Sequence, residues 1–210
     1  MPSSVPIQFN GHEFIALAER ALLWPANDTL IISDLHLGKG DIFRAAGIAI
    51  PSGGTLKDLD RLTTLLKAHN ARQLIIVGDI IHAARTKPNW LERWQTFRRE
   101  HRNVAMHVIL GNHDRHLDHA SLQVEAHDTL VIDGITFAHD AHGDLPQING
   151  HIHPVVKVPG IDGRWPVLAI KQNTITLPAF SLFTGGHLID TRGDWIACIK
   201  GEVLAHLRQT

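Results

Sequence analysis

Three short apolar runs constrain the fold of this chain more than any other feature. Thr29-Leu-Ile-Ile-Ser33, Gln73-Leu-Ile-Ile-Val77 and Val104-Ala-Met-His-Val-Ile-Leu110 are rich in β-formers and nearly continuous in apolar character. A strand that alternates polar and apolar residues has one wet face, whereas a strand without alternation is buried on both. Between the runs, Leu56, Leu59, Leu62, Leu65 and Leu66 recur at helical spacing, with Thr55 placed to begin that helix. Asn89 to Arg102 sets Trp90, Leu91, Trp94 and Phe97 on one side and charged residues on the other. The first half therefore reads strand–helix–strand–helix–strand. In the second half, Leu130 to Phe137 reads as a hairpin turning at Asp133-Gly134. The apolar segments Val167–Ile170, Thr174–Leu177 and Trp195–Ile199 read as further strands with few helices between them. The expected fold is α/β: a layered β-sandwich of mixed sheets flanked by helices, in a single domain over residues 1–210.

Each early run ends in a small polar cluster. The first ends in Ser33-Asp34-Leu35-His36, the second in Gly78-Asp79 with His82 beyond, and the third in Gly111-Asn112-His113-Asp114. Two more follow: Phe137-Ala138-His139, and Gly150-His151-Ile152-His153. Singly, such pairs are ordinary turn chemistry. In this order, each at the end of an apolar segment, they describe a site, because the carboxyl ends of strands in α/β sheets are where ligands bind. An extended His151-Ile-His153 segment would place both imidazoles on one face. Imidazole and carboxylate without thiolate suit zinc, manganese or iron. The ligand supply exceeds what one ion needs, and two metals about 3.5–4 Å apart would use it.

The rest of the composition excludes more than it identifies. The formal net charge is −1, so no global basic field marks a nucleic-acid binder. A local basic stretch lies between His82 and Asn103, where Arg85, Lys87, Arg93, Arg98, Arg99 and Arg102 stand against Glu92 and Glu100. It reads equally as a backbone-tracking surface or a solvated helix face. The sixteen histidines are scattered, not clustered in a metal-binding tract. The one cysteine, Cys198, lies in an apolar segment and reads as a buried small hydrophobe, with no intrachain disulfide possible. The N-terminus lacks the basic and apolar regions of a signal peptide, and no apolar run is long enough to span a bilayer. The expectation is a soluble cytoplasmic protein without a membrane partner.

The polar clusters resemble the motif series of the calcineurin-like metallophosphoesterases: Asp34/His36, Gly78/Asp79/His82, Gly111/Asn112/His113/Asp114, His139, and Gly150/His151/His153. The resemblance implies a metallophosphoesterase-like sandwich holding two divalent metal ions, Mn2+ first, with Fe or Zn as alternatives. It implies that Asp34, His36 and His153 hold one metal, that Asn112, His139 and His151 hold the other, and that Asp79 bridges them. His113 takes the place of a catalytic, non-ligating histidine, with Asp114 beside it, and Asn112 also faces substrate. His142, followed by Gly143, is an alternative to His139, which is preferred because it directly follows its strand.

A narrower resemblance runs through Leu37-Gly-Lys39, Phe43-Arg44-Ala-Ala-Gly47, Pro51, His153-Pro154 and Leu177-Pro-Ala-Phe180. These segments are similar to the bacterial ligase-associated DNA-damage-response phosphodiesterases. That likeness implies a metal-dependent phosphodiesterase and DNA endonuclease acting through a bridging hydroxide. It also implies a DNA substrate, single-stranded, and association with a repair helicase and ligase. Lys39 and Arg44 follow the first cluster and are cations fit to bind phosphate. Two other readings stand beside this one. A small-molecule or phosphoprotein phosphoesterase is compatible with the same centre. A non-enzymatic repair scaffold would tolerate gaps in the motif series, and none is present. Only 24 residues separate Asp114 from His139, too few for a large cap.

Overall fold

A computed structural model of the chain describes residues 1–82, 90–115 and 117–208. Two sheets face each other. The first has seven strands in chain order: β1 (Ser4–Phe9), β2 (His12–Leu17), β3 (Ala21–Trp24), β4 (Thr29–Ser33), β5 (Gln73–Val77), β6 (Ala105–Ile109) and β7 (Glu125–His127). Its first four strands are antiparallel, and β4 to β7 run parallel.

The second sheet contains β8 (Thr129–Ile132), β9 (Ile135–Ala138), β10 (Gln147–Asn149), β11 (Pro154–Val158), β12 (Ile161–Lys171), β13 (Thr174–Thr176), β14 (His187–Leu188), β15 (Asp194–Ile199) and β16 (Glu202–His206). Its order is β14-β11-β12-β13-β10-β9-β8, with β15 pairing β12 and β16. The helices are α1 (Lys39–Ala45), α2 (Gly54–Ala68), α3 (Trp90–Glu100) and the single turn α4 (His119–Leu122).

The central strands are apolar on both faces because both faces are covered. Leu30, Ile32, Leu74, Ile76 and Val108 point to a layer filled by Leu59, Leu62, Leu65 and Leu66 of α2 and by Trp90, Trp94 and Phe97 of α3. Ile31, Ile75, Val77 and Ile109 point the other way, into the space between the sheets. There they meet Ile135, Phe137, Ile148, Leu168, Ile175 and Ile196 of the second sheet. Truncating Phe137, fully buried here, to alanine would cost about 3–5 kcal/mol. The parallel strands β4, β5 and β6 end together at one rim of this layer, which is where the polar clusters begin.

The expected strands and helices are present, with some differences. The first half also contains β1 to β3, for which no expectation was drawn; the turn between β1 and β2 is Asn10-Gly11, both at positive φ (49° and 78°). Asp133-Gly134 makes the same kind of turn between β8 and β9, with φ of 49° and 79°. Helix α2 is capped by Gly53, not begun by Thr55, whose hydroxyl accepts instead from the amide of Gly38 at 3.2 Å. No described helix is long and apolar enough to cross a membrane.

A buried polar brace ties the helical layer to the second half of the chain. Asp58 on α2 accepts from Arg61 at 2.9 Å and from the amide of Leu182 at 3.3 Å. Arg61 also donates to the carbonyls of Phe180 and Glu19 and lies over the Phe180 ring. Burial pushes the Asp58 carboxyl up to about 6 despite the guanidinium beside it.

Cys198 is buried in β15, and burial pushes its thiol up to about 12. The thiolate is the reactive form, so the folded protein at pH 8 should react with an aromatic disulfide reagent only through unfolding. The labelling rate should rise with denaturant in step with the loss of circular dichroism. Rapid stoichiometric labelling in buffer would contradict this burial.

Candidate metal centre

The carboxyl ends of β4, β5 and β6 deliver Asp34, Asp79, and Asn112 with His113 to one place. His139 arrives from the end of β9, and His151 and His153 from the link between β10 and β11. Among the described residues, Asp34, His36 and His153 offer ligand atoms within 4.8 Å of one another, and so do Asp34, Asp79 and His139. His153 Nε2 lies 3.3 Å from Asp34 Oδ1, and His139 lies 4.0 Å from Asp34 and 3.9 Å from Asp79. His139 Nε2 is 3.1 Å from Asn112 Oδ1 and 2.9 Å from His151 Nδ1. All seven residues expected as ligands therefore stand in one cluster. The carboxylate common to both ligand groups is that of Asp34, while Asp79 falls with the second.

This closeness strains the backbone. Asp34, His36, Asp79, His151 and His153 all have positive φ, between 38° and 66°, a region that costs a non-glycine residue about 1–2 kcal/mol. The expectation of an extended His151-Ile-His153 segment is thereby corrected. With both histidines left-handed, alternation does not apply: the His153 ring turns toward Asp34 and the His151 ring toward His139. Asn112 and His113 likewise sit in a turn. Glycine is required where ligands crowd the chain. A Cβ on Gly78 would overlap the His139 ring, and one on Gly150 would overlap the Asp34 carboxylate.

Asp34 Oδ1, both nitrogens of His36, His139 Nδ1 and His153 Nε2 are buried without a hydrogen-bond partner. Buried polar atoms left unpaired cost about 1–3 kcal/mol each, and these converge on one another. A divalent cation satisfies the lone-pair atoms among these at once, and the mixed imidazole and carboxylate set fits one. Burial pushes the His36 imidazole down to about 2, with Lys39 adding to the shift, so it stands neutral with one ring nitrogen's lone pair available. Burial opposes ionisation of Asp34, but the surrounding histidines, His153 first, outweigh it and hold its pKa below the ordinary value.

His113 lies at the open side of the cluster, its side chain 37% exposed and its Nε2 3.9 Å from Asp79 Oδ2. Its own amide donates to Asp79 Oδ1 at 2.9 Å. Asp114 has a different place from the catalytic one expected. Its described hydrogen bonds all come from backbone amides: Gly111 at 3.0 Å, and Ile80 and Ile81 at 3.2 Å each. It is a positioning residue that clips the end of β5 to the end of β6, and burial pushes it up to about 6.

Lys39 donates from Nζ to Thr184 Oγ1 at 3.0 Å and lies in the field of Asp34 and Asp79. Arg44 is occupied by Asp41 and by the carbonyl of Pro51, and among the described contacts it does not reach the cluster. His142 lies in an exposed loop, its amide bonded to Gln147. His82 packs its ring 5.4 Å from that of His36 and 5.0 Å from that of His113. It stood in the second motif and was not assigned a role. Thr184 carried no motif signal at all. Of the basic stretch, Arg85 and Lys87 lie outside the described residues. Arg98 is buried, bonded to the carbonyls of His101 and Val104, and serves structure.

If Asp114 positions the motifs through those amides, Asp114→Asn should destabilise the protein by about 1–3 kcal/mol, because one acceptor becomes a donor facing a buried N–H. Urea denaturation would read this as a lower midpoint, accompanied by weaker metal retention. An unchanged midpoint would remove Asp114 from that role.

The sequence matches the calcineurin-like phosphoesterase family over residues 28–196. The fold is similar to the crystal structure of a Pseudomonas putida nuclease, MPE, with 31% identity and a TM-score of 0.83, covering 97% of this chain and 100% of that one. A phosphoesterase from E. coli, Yfce, aligns with 15% identity and a TM-score of 0.46 over 82% of this chain and 88% of that one. No curated protein matches the sequence. The family match over most of the chain and the clustered ligand set meet in one conclusion: the chain belongs to the calcineurin-like phosphoesterase family and is a metal-dependent phosphoric ester hydrolase.

Proposed function

We propose that this chain is a phosphodiesterase and endonuclease that cuts DNA, single-stranded by preference, at a two-metal centre with manganese as the working ion. The observation that carries this reading is the full-length likeness to a nuclease, MPE, at 31% identity. The short chain between Asp114 and His139 supports it, since a polymer needs an approach without a large cap. The narrower motif resemblance extends the proposal to DNA repair in the cytoplasm, in association with a helicase and a ligase.

In this reading Asp34, His36 and His153 hold one ion, Asn112, His139 and His151 hold the other, and Asp79 bridges. Bound there, two divalent cations neutralise phosphate charge and lower the pKa of a water. The chain's own groups do the rest. Lys39 faces the phosphate as a cation, with Arg44 contributing once it is released from Asp41. Asn112 orients a phosphate oxygen, and His113 stabilises or protonates the leaving oxygen. Parallel assays of single-stranded DNA, duplex DNA, a bis-nitrophenyl diester and a nitrophenyl monoester, each with Mn2+, test the substrate. Preference for the monoester, with no cleavage of DNA, would overturn the nuclease reading in favour of a phosphatase.

Two variants test the roles. After loading with Mn2+, Asp79→Ala should hold at least one equivalent of manganese less than wild type by elemental analysis, and an unchanged manganese content with full activity would refute the bridge. His113→Ala should keep both metals and lose about 10²–10⁴-fold in rate, the range of general acid–base catalysis. The loss should be smaller for the nitrophenyl diester, whose leaving group needs no proton. Equal losses on good and poor leaving groups would argue against the acid role, and a lost metal would make His113 a ligand.

A further inference from the structure

A second group of metal-ligating side chains lies outside the centre described above, at the edge of the first sheet. His107 is on β6, and Glu125 and His127 are on the outermost strand, β7. In the parallel register His107 pairs with Glu125, and Ile109 with His127. Residues two apart on a strand share a face, so all three side chains emerge on the same side.

Their spacing is that of a coordination sphere. His107 Nδ1 lies 3.2 Å from His127 Nε2 and 3.4 Å from Glu125 Oε2. One ligand atom from each residue falls within 4.8 Å of the others. Zinc bonded to imidazole at about 2.0–2.1 Å in tetrahedral geometry separates its ligand atoms by about 3.3 Å. Hydrogen bonding alone fits less well, because His107 Nδ1 can either donate its one hydrogen to Glu125 or accept from His127 Nε2, and not both. A cation engages three lone pairs together. The side chain of Glu125 is 71% exposed, so water can reach the fourth position.

We propose that His107, Glu125 and His127 form a further cation site that takes zinc or a similar transition ion, with water completing a tetrahedron. The ion staples β7 to β6. The edge strand is only three residues long, and its end is already tied to β6 through the amide of Leu110, which donates to the carbonyl of His127 at 2.8 Å. Strand β6 leads directly into Gly111-Asn112-His113, so a cation here braces the strand that delivers those residues. The role is structural, and it is independent of the chemistry proposed for the main centre.

The test is a difference in stoichiometry. Chelator-stripped wild type, His127→Ala and Glu125→Ala are dialysed to equilibrium against micromolar Zn2+ and analysed by mass spectrometry for bound zinc. Wild type should hold one equivalent more than either variant, whatever the occupancy of the main centre. Circular dichroism verifies folding. If His127→Ala does not fold, the exposed Glu125→Ala decides. Equal zinc content in wild type and a folded variant would overturn the proposal. The hydrolytic assays report on the main centre separately, so loss of activity without loss of this equivalent would not be mistaken for it.

Discussion

The site depends first on a buried carboxylate that is bonded to the backbone. Asp114 accepts from the amides of Ile80 and Ile81 beyond β5 and of Gly111 beyond β6. Two adjacent parallel strands would otherwise end in loops free to diverge. One side chain with four lone-pair directions satisfies three N–H groups that leave the ladder there. This holds the Asp79 turn against the Asn112–His113 turn. The amide of His113 then reaches Asp79 itself, completing a link between the carboxylate proposed to bridge the metals and the residue proposed to meet the leaving group.

The same region stores free energy that the rest of the fold has to offset. Five ligand positions occupy left-handed backbone, and several ligand atoms are buried without partners. At about 1–2 kcal/mol per strained residue, with further terms for each orphaned atom, the centre is a net burden on the unligated chain. The doubly covered strands β4 and β5 supply stability around it. Cations that satisfy those atoms would return it through binding linkage. Metal binding and global stability are therefore coupled in this architecture, and chelation should be felt in both.

How much of this was legible in the sequence follows from the kind of signal each element carries. Strands β4 and β5 match their apolar runs residue for residue, because burial on both faces leaves an unbroken pattern. The hairpin at Asp133-Gly134 was legible from turn chemistry, and Asn10-Gly11 carries the same signal for β1 and β2. The ligand types were legible because few other settings place Asp, His and Asn at successive strand ends. Local conformation was not: His151-Ile-His153 has the letters of an extended segment, but both histidines have left-handed φ where they meet Asp34 and His139, contacts distant in sequence. The place of Asp114 was hidden because a carboxylate beside a histidine reads the same whether it faces the ring or the backbone. Thr184 stands 145 residues from Lys39, and no local pattern joins them.

That last contact links the helical layer to the centre. Asp58 and Arg61 on α2 hold the segment at Phe180 to Leu182, and the same segment continues to Thr184, the hydroxyl that accepts from Lys39. The brace therefore helps set where the Lys39 ammonium stands beside Asp34 and Asp79. Asp34 and Asp79 attract that ammonium. Divalent ions at those carboxylates would reverse the local sign of the field, so Lys39 would face like charge. An anion between Lys39 and the centre removes that repulsion, and a phosphodiester supplies one. In the proposed reading, the Asp58–Arg61 pair thus helps place a lysine that a substrate phosphate would hold beside the ions.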